Sequence, residues 1–319
     1  MVRMRILALR TVLVATDLDE ASMPAVEAAR MLATAAGAVL HVVTVAPRPG
    51  QDDPDAPAPP LRARAANDDQ AARAAHRMLQ KAGIALDEAA VHALVGEPTH
   101  IIGAVADEIQ ADVVVLGPHR ETDPEGQKRR GLGTAIAVAT NSAAPCLVAR
   151  KMVLPLTHAV VADDLSDTSR GALRVGLSWA SALRASRLST DRKTQMTALL
   201  VVEPNTSPDE IAKLKARLED HVEELRSEAG SWANVTVRGD VVVGAKAAEA
   251  IARYSEEHDV ELLVLGTRGL GLDTVGRLGS VAADVAHTSN ISTLLVPPAV
   301  WLELASDKPP GRPARKSPA

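Results

Sequence analysis

The residues best suited to chemistry lie between Leu262 and Ser280, in the stretch LLVLGTRGLGLDTVGRLGS. Gly266, Gly269, Gly271, Gly276 and Gly279 punctuate it, and Ser280 stands just before an Ala/Val-rich segment of helical character. LLVL is a short continuous apolar run, which suits a parallel strand covered on both faces. Glycine permits positive φ and close approach of the backbone to a ligand. A helix that begins at Gly279-Ser280 offers unpaired N–H groups and the positive end of its dipole. Together these parts make a phosphate cradle. Strand-to-helix loops collect glycines for many reasons, so their number says little. Their spacing says more: two residues separate Gly266 from Gly269, and nine separate Gly269 from Gly279.

The elements that must position this loop recur along the chain. Val12–Ala15, Val39–Val45, Val91–Val95, Val113–Leu116 and Cys146–Ala149 read as strands, with helical patterns between them. Ser22 is a candidate cap for the first helix, Pro24 suits its first turn and Gly37 suits its end. Six prolines fall between residues 47 and 60, marking a linker-like insertion up to Arg64. A polar loop with Lys128-Arg129-Arg130 precedes a helix from Gly133. The pattern then restarts. VATDLDEAS at Val14–Ser22 returns as VADDLSDTS at Val161–Ser169, offset by 147, and VVVLG at Val113–Gly117 returns as LLVLG at Leu262–Gly266, offset by 149. Periods this long mean tandem domains, not a solenoid.

Each half reads βαβαβαβαβ, so the expected fold class is α/β: two tandem doubly wound five-stranded parallel sheets with helices on both faces. The order expected for each is 3-2-1-4-5, which the alternation by itself does not fix. The expected division is residues 1–152, 153–300 and a disordered tail at 301–319, with a second insertion at Ser186–Gln195. In such a sheet ligands bind outside the carboxyl ends of the strands where the order reverses, between strands one and four. Asp164 leaves the first strand of the second half and Gly266 leaves its fourth. They are about 100 residues apart in sequence, yet this topology brings them to one crevice. Read alone, Asp164 is an ordinary turn or cap residue.

Composition narrows the function. The 319 residues carry a net charge of −5, 46% hydrophobic residues, no Phe, one Tyr and three Trp. Cores must therefore be built from Ala, Val, Leu and Ile. There is no basic footprint for nucleic acid and no aromatic platform for single strands. The single cysteine, Cys146, permits no intramolecular disulfide and reads as a buried small hydrophobe. The first residues lack a signal-peptide pattern and no apolar run reaches transmembrane length, so a cytoplasmic protein without membrane contact is expected. The nine histidines are scattered. No CxxC, HxxxH, GxSxG or P-loop is present, which leaves no catalytic residue or metal site to assign.

The spacing G-x2-G-x9-G-S, with a strand-Asp at the start of each half and a VLG strand end, resembles the ATP-binding branch of the universal stress proteins over about residues 10 to 298. The resemblance implies ATP, with Mg2+ carried by the nucleotide. It implies Asp164 at the adenosine end, Val201 against adenine, Gly266 and Gly269 at ribose and phosphate, and Gly279 and Ser280 at the phosphate-binding helix start. Arg268 and Arg277 can add charge there or simply solvate the loop. Val281-Ala282 follow Ser280 where the family often has a second hydroxyl. The first half keeps Asp17 and Gly117 but has Arg120 where the second glycine belongs, and twelve residues from there to Gly133. It is expected to be degenerate for ATP. The family pairs through last strands, which implies an internal pseudo-dimer and a further homodimer through sheet edges.

Three functions compete. The first is an ATP-binding, nucleotide-dependent stress regulator with slow or no hydrolysis and an unidentified protein partner. The second is a pseudo-dimeric scaffold without nucleotide. The third is an ATP pyrophosphatase-type enzyme, against which DLDEAS and DDLSDTS fail to supply an SGGxDS loop. A NAD-binding reading fails because the glycines follow strand four, not strand one.

Overall fold

The computed structural model describes residues 9–46, 69–84, 89–117, 119–122, 128–131, 133–184, 193–228, 235–268, 278–298 and 300. The Pro-rich stretch 47–64, most of the second insertion and the tail from 301 lie outside the described residues.

The first half runs β1 (Thr11–Ala15), α1 (Met23–Ala36), β2 (Val39–Ala46), α2 (Asp69–Lys81), β3 (Ala89–Val95), α3 (Pro98–Glu108), β4 (Val113–Leu116), β5 (His119–Thr122), β6 (Lys128–Gly131), α4 (Gly133–Asn141) and β7 (Cys146–Val148). The second runs β8 (His158–Ala162), α5 (Asp167–Arg184), β9 (Thr194–Val202), α6 (Pro208–Glu228), β10 (Val235–Val243), α7 (Ala247–Glu257), β11 (Leu262–Gly266), α8 (Ser280–Thr288) and β12 (Ser292–Val296). The order β3-β2-β1-β4-β7 in one half and β10-β9-β8-β11-β12 in the other is the expected 3-2-1-4-5 twice over. The halves join where β7 pairs antiparallel with β12, Leu147 opposite Leu294, so one ten-stranded sheet spans the chain.

Alternation along the strands builds two apolar layers. Val12, Val14, Leu262 and Val264 face α1, α2, α5 and α6, whereas Leu13, Ala15, Leu263 and Leu265 face α3, α4, α7 and α8. Strands buried on both faces read as continuous apolar runs, and all four residues of β4 are buried. Both layers cross the β7–β12 seam, and α1 packs against α5 there. Arg150 reinforces the seam: its guanidinium donates to the Ala286 and Ser289 carbonyls at the end of α8, at 3.4 and 3.3 Å. A cation suits the negative end of the helix dipole. Cys146 is fully buried in β7, and burial pushes its thiol up to about 12 against a weaker opposing contribution from Ser142.

Three local expectations change. Ser22 makes no capping bond to α1. Its hydroxyl bonds instead to Thr16 Oγ1 and donates to the Asp19 carbonyl, at 2.7 and 2.8 Å, because a single 3-10 turn at Glu20–Ser22, capped by Asp19, intervenes. Thr194 and Gln195 open β9, so the second insertion ends earlier than expected. The polar loop after β4 is not a loop: β5 and β6 form an antiparallel hairpin that pairs Arg120 with Arg130 and Glu121 with Arg129. Charged β-residues are legible as solvated, but their pairing into a ladder leaves no period-2 apolar signal to find.

Candidate functional site

The strand order reverses between β8 and β11, and a cavity of about 370 Å³ opens at their carboxyl ends. Asp164, Val201, Gly266, Arg268, Gly279 and Ser280 all line it. Residues from β8, β9, β11 and α8 that are scattered in sequence thus meet in one crevice. Gly269, the seventh expected residue, lies outside the described residues, as do Gly271, Gly276 and Arg277.

Each lip has its own chemistry. On the α8 side, Gly279 caps the helix from an extended conformation and spends its own N–H on the Thr267 carbonyl at 2.9 Å. The first intrahelical bond is Ala283 N–H to Gly279 carbonyl, 2.9 Å. The N–H groups of Ser280, Val281 and Ala282 therefore have no intrahelical acceptor, and they stand at the positive end of the helix dipole. Arg268 lines the same cavity and supplies a full positive charge. Gly266 also has a packing reason to be glycine. A Cβ there would lie 2.7 Å from Thr168 Cγ2 and 3.2 Å from the Arg268 carbonyl oxygen. The start of α5 passes closely over β11 at this point, which by itself leaves no room for a Cβ.

On the β8 side the turn is built by two adjacent carboxylates. Asp163 Oδ1 accepts from the Leu165 N–H and the Ser169 hydroxyl, both at 2.7 Å. Asp164 Oδ1 accepts from the Ser166 N–H at 3.1 Å. These bonds hold Leu165 at φ +62, a conformation that L-residues rarely adopt without such support. Leu199 and Ile251 join Val201 to give the remaining wall an apolar face.

Asp163 reaches further. Its side chain is completely buried, and Oδ2 lies 3.2 Å from His221 Nδ1 on α6, an ion-pair distance off the line of a well-directed hydrogen bond. His221 Nε2 accepts from Arg170 Nε at 3.0 Å. An accepting Nε2 carries no proton, so the Nδ1 proton faces Asp163. Arg170 in turn lies 3.4 Å from Glu224 at the surface. Burial works to raise the Asp163 carboxyl, but His221, the Ser169 hydroxyl and the Leu165 N–H outweigh it and hold the group below the usual Asp value. Neither Asp163 nor His221 stands out in the sequence: one looks like a duplicate of Asp164 and the other is a single histidine on a charged helix. The difference between ATD at Ala15–Asp17 and ADD at Ala162–Asp164 is the one signal that could have found the pair.

The first half repeats this turn with neutral groups. Thr16 Oγ1 replaces the Asp163 carboxylate, accepting from Leu18 N–H at 3.0 Å and bonding Ser22 Oγ at 2.7 Å, and Leu18 has φ +64. Met78 Sδ, 3.3 Å from Thr16 Oγ1, stands where His221 does. A smaller cavity of about 250 Å³ lies at the matching strand ends, with Asp17, Gly117 and Thr134 in its lining. Among the described residues no cluster of three or more His, Cys, Asp or Glu side chains could hold a metal ion. No described helix is long and apolar enough to cross a membrane.

The sequence profile of the Universal stress protein family matches residues 8–150 and 156–297. Among solved structures, a universal stress protein from Archaeoglobus fulgidus DSM 4304 is 18% identical, with a TM-score of 0.59, covering 90% of this chain and 98% of its own. A putative universal stress protein from Pseudomonas aeruginosa UCBPP-PA14 is 16% identical with a TM-score of 0.59, covering 94% and 97%. A shorter universal stress protein from Archaeoglobus fulgidus, in complex with dAMP, is 21% identical with a TM-score of 0.33, covering 45% of this chain and 99% of its own. Among curated proteins, no sequence matches.

Proposed function

Since the chain belongs to the universal stress protein family, with both halves matched by the family profile, we propose that its second-half crevice binds ATP and that the protein is a nucleotide-dependent regulator. The observation that carries this reading is the pairing, across one cavity of about 370 Å³, of an acceptor lip at Asp164 with the open start of α8 at Ser280. The apolar wall of Val201, Leu199 and Ile251 suits a purine ring. Asp164 is an acceptor for ribose hydroxyls, and the Ser280, Val281 and Ala282 N–H groups with Arg268 suit phosphate oxygens. Mg2+ would arrive on the nucleotide, which supplies charge neutralisation between phosphates.

Hydrolysis is expected to be slow or absent. Rapid phosphoryl transfer needs a group that orients the attacking water and cations that stabilise the transition state. Among the described lining residues Arg268 is the one cation, and the two carboxylates stand on the β8 lip. A cytoplasmic setting fits this reading, as does a further homodimer through the outer strands β3 and β10, and a protein partner that senses occupancy.

The test is the nucleotide content of the purified protein, followed by ATP titration. About one adenine nucleotide per chain, lost in Gly279→Arg, is the expected result. Absence of nucleotide and of Mg-ATP binding would overturn the reading. It would favour the scaffold, for which the sheet running unbroken through β7 and β12 is the supporting observation.

A further inference from the structure

We propose that nucleotide affinity in the second crevice is proton-linked through the buried Asp163–His221 pair, rising as His221 takes a second proton. The inference rests on the nucleotide reading of that crevice and names a regulation of it. It begins from the wall between two cavities. Asp163 lines the crevice of about 370 Å³. His221 lines a separate groove of about 520 Å³ between α5 and α6, with Leu165, Arg170, Arg217, Asp220, Glu223 and Glu224 around it. One buried contact, Asp163 Oδ2 to His221 Nδ1 at 3.2 Å, thus joins the ligand cavity to a charged groove at the surface. The first half shows that the turn itself does not need this pair. Thr16 and Met78 build the same turn from neutral groups, with Leu18 at φ +64 against +62 for Leu165. A buried carboxylate carries a desolvation cost that neutral groups avoid, so packing alone gives no reason to place two titratable groups here.

The charged groups that face the imidazole from other elements are Asp163 on β8 and Arg170 on α5. Arg217, Asp220, Glu223 and Glu224 lie along its own helix. Burial works to raise the Asp163 carboxyl, yet His221, the Ser169 hydroxyl and the Leu165 N–H hold it below the ordinary Asp value. A proton entering the pair therefore settles on the imidazole and not on the carboxylate. Nδ1 already carries a proton toward Asp163, so the second one goes to Nε2, which accepts from Arg170 Nε at 3.0 Å. Two donors cannot share that contact. Arg170 must then turn toward Glu224, whose carboxylate already lies 3.4 Å from it. The crevice feels this change in one direction. With His221 neutral, the wall carries the Asp163 charge against an uncharged ring. With His221 protonated, the pair is neutral overall. Buried charge is poorly screened, so compensating it favours the anionic phosphates of a nucleotide. By linkage, binding the polyanion draws a proton onto the pair.

The experiment titrates the full chain calorimetrically with Mg-ATP from about pH 5 to 8, the range in which an imidazole changes charge, beside two variants. His221→Gln offers Asp163 a donor and Arg170 an acceptor, and it never charges. Asp163→Thr with His221→Met reproduces the neutral turn of the first half. Ionisation of the nucleotide itself is common to all three chains, so differences between them belong to the pair. The double variant should bind more tightly than His221→Gln at every pH. The unmodified chain should match His221→Gln at the alkaline end and gain on it by about fivefold or more at the acid end, fivefold being the lower end of ordinary site couplings. Near neutral pH, binding heats in two buffers of unequal ionisation enthalpy should show more proton uptake by the unmodified chain than by either variant. A purely structural role would instead give affinity ratios that do not change with pH. Constant ratios to the variants, with equal proton uptake, would overturn the proposal, and the double variant alone supplies the reference if His221→Gln does not fold. If the unmodified chain binds no adenine nucleotide at any pH, the nucleotide reading itself falls and this inference falls with it.

Discussion

Replacing His221 by alanine should cost the second half about 1.5–3 kcal/mol, the range for taking a neutral polar partner from a charged group. The Asp163 side chain is 0% exposed and His221 is 4% exposed, so in the folded protein the imidazole, not bulk water, faces the carboxylate. Against whole-domain stabilities of about 5–15 kcal/mol this is a large fraction. It should appear as a much lower midpoint in urea denaturation followed by circular dichroism. The first half supplies the control, since Thr16 and Met78 hold the same turn without charge. Asp163→Thr combined with His221→Met should therefore recover most of the loss, to within about 1 kcal/mol, because replacing a whole buried pair by well-packed neutral groups is often close to neutral. A loss below about 1 kcal/mol in His221→Ala, or a double variant as unstable as the single, would refute the reasoning.

Acidification offers a separate check. The Asp163 carboxyl is held below the ordinary Asp value of about 3.9, so its stabilising contribution is present above that value and vanishes as pH falls through the folded one. The unmodified chain should lose stability below about pH 4 more steeply than the Thr/Met double variant, as read from denaturation midpoints across pH 2–5. Gly266→Ala should cost about 1–3 kcal/mol, since its Cβ would meet Thr168 Cγ2 at 2.7 Å and backbone at 3.2 Å. Gly117→Ala, with nearest contacts at 3.3 and 3.4 Å, should cost less than half as much in the same assay. If the two alanines cost the same, close packing at α5 is not what holds Gly266. Cys146, buried and with its thiol raised to about 12, should resist thiol reagents at pH 8 in the native protein and react once per chain after unfolding. Rapid native labelling would contradict the placement of β7.

Much of this architecture was legible along the chain because it depends on local chemistry. Apolar runs such as VVVL and LLVL, short and each closed by a glycine, suit strands covered on both faces. The end of α1 follows from Gly37, which adopts φ +66. The repeat of VATDLDEAS as VADDLSDTS marked the second sheet as a copy of the first, and an expected order of 3-2-1-4-5 was what brought Asp164 and Gly266 to one crevice; the order itself came from the tertiary structure. Other features depended on partners that sequence does not bring together. Gly266 is read from spacing as part of a ligand loop, and that Thr168 on another element also crowds it came only from packing. The charged stretch around Lys128 gave no apolar alternation, so its pairing into a hairpin emerged only from the register of its own backbone. Asp163 and His221 are 58 positions apart in the chain, and nothing local to either marks the other. Residue type and spacing determine which elements form. Which buried carboxylate finds an imidazole, and which loop closes on itself, is decided by packing of distant elements, because those energies exist only once water has been excluded between them.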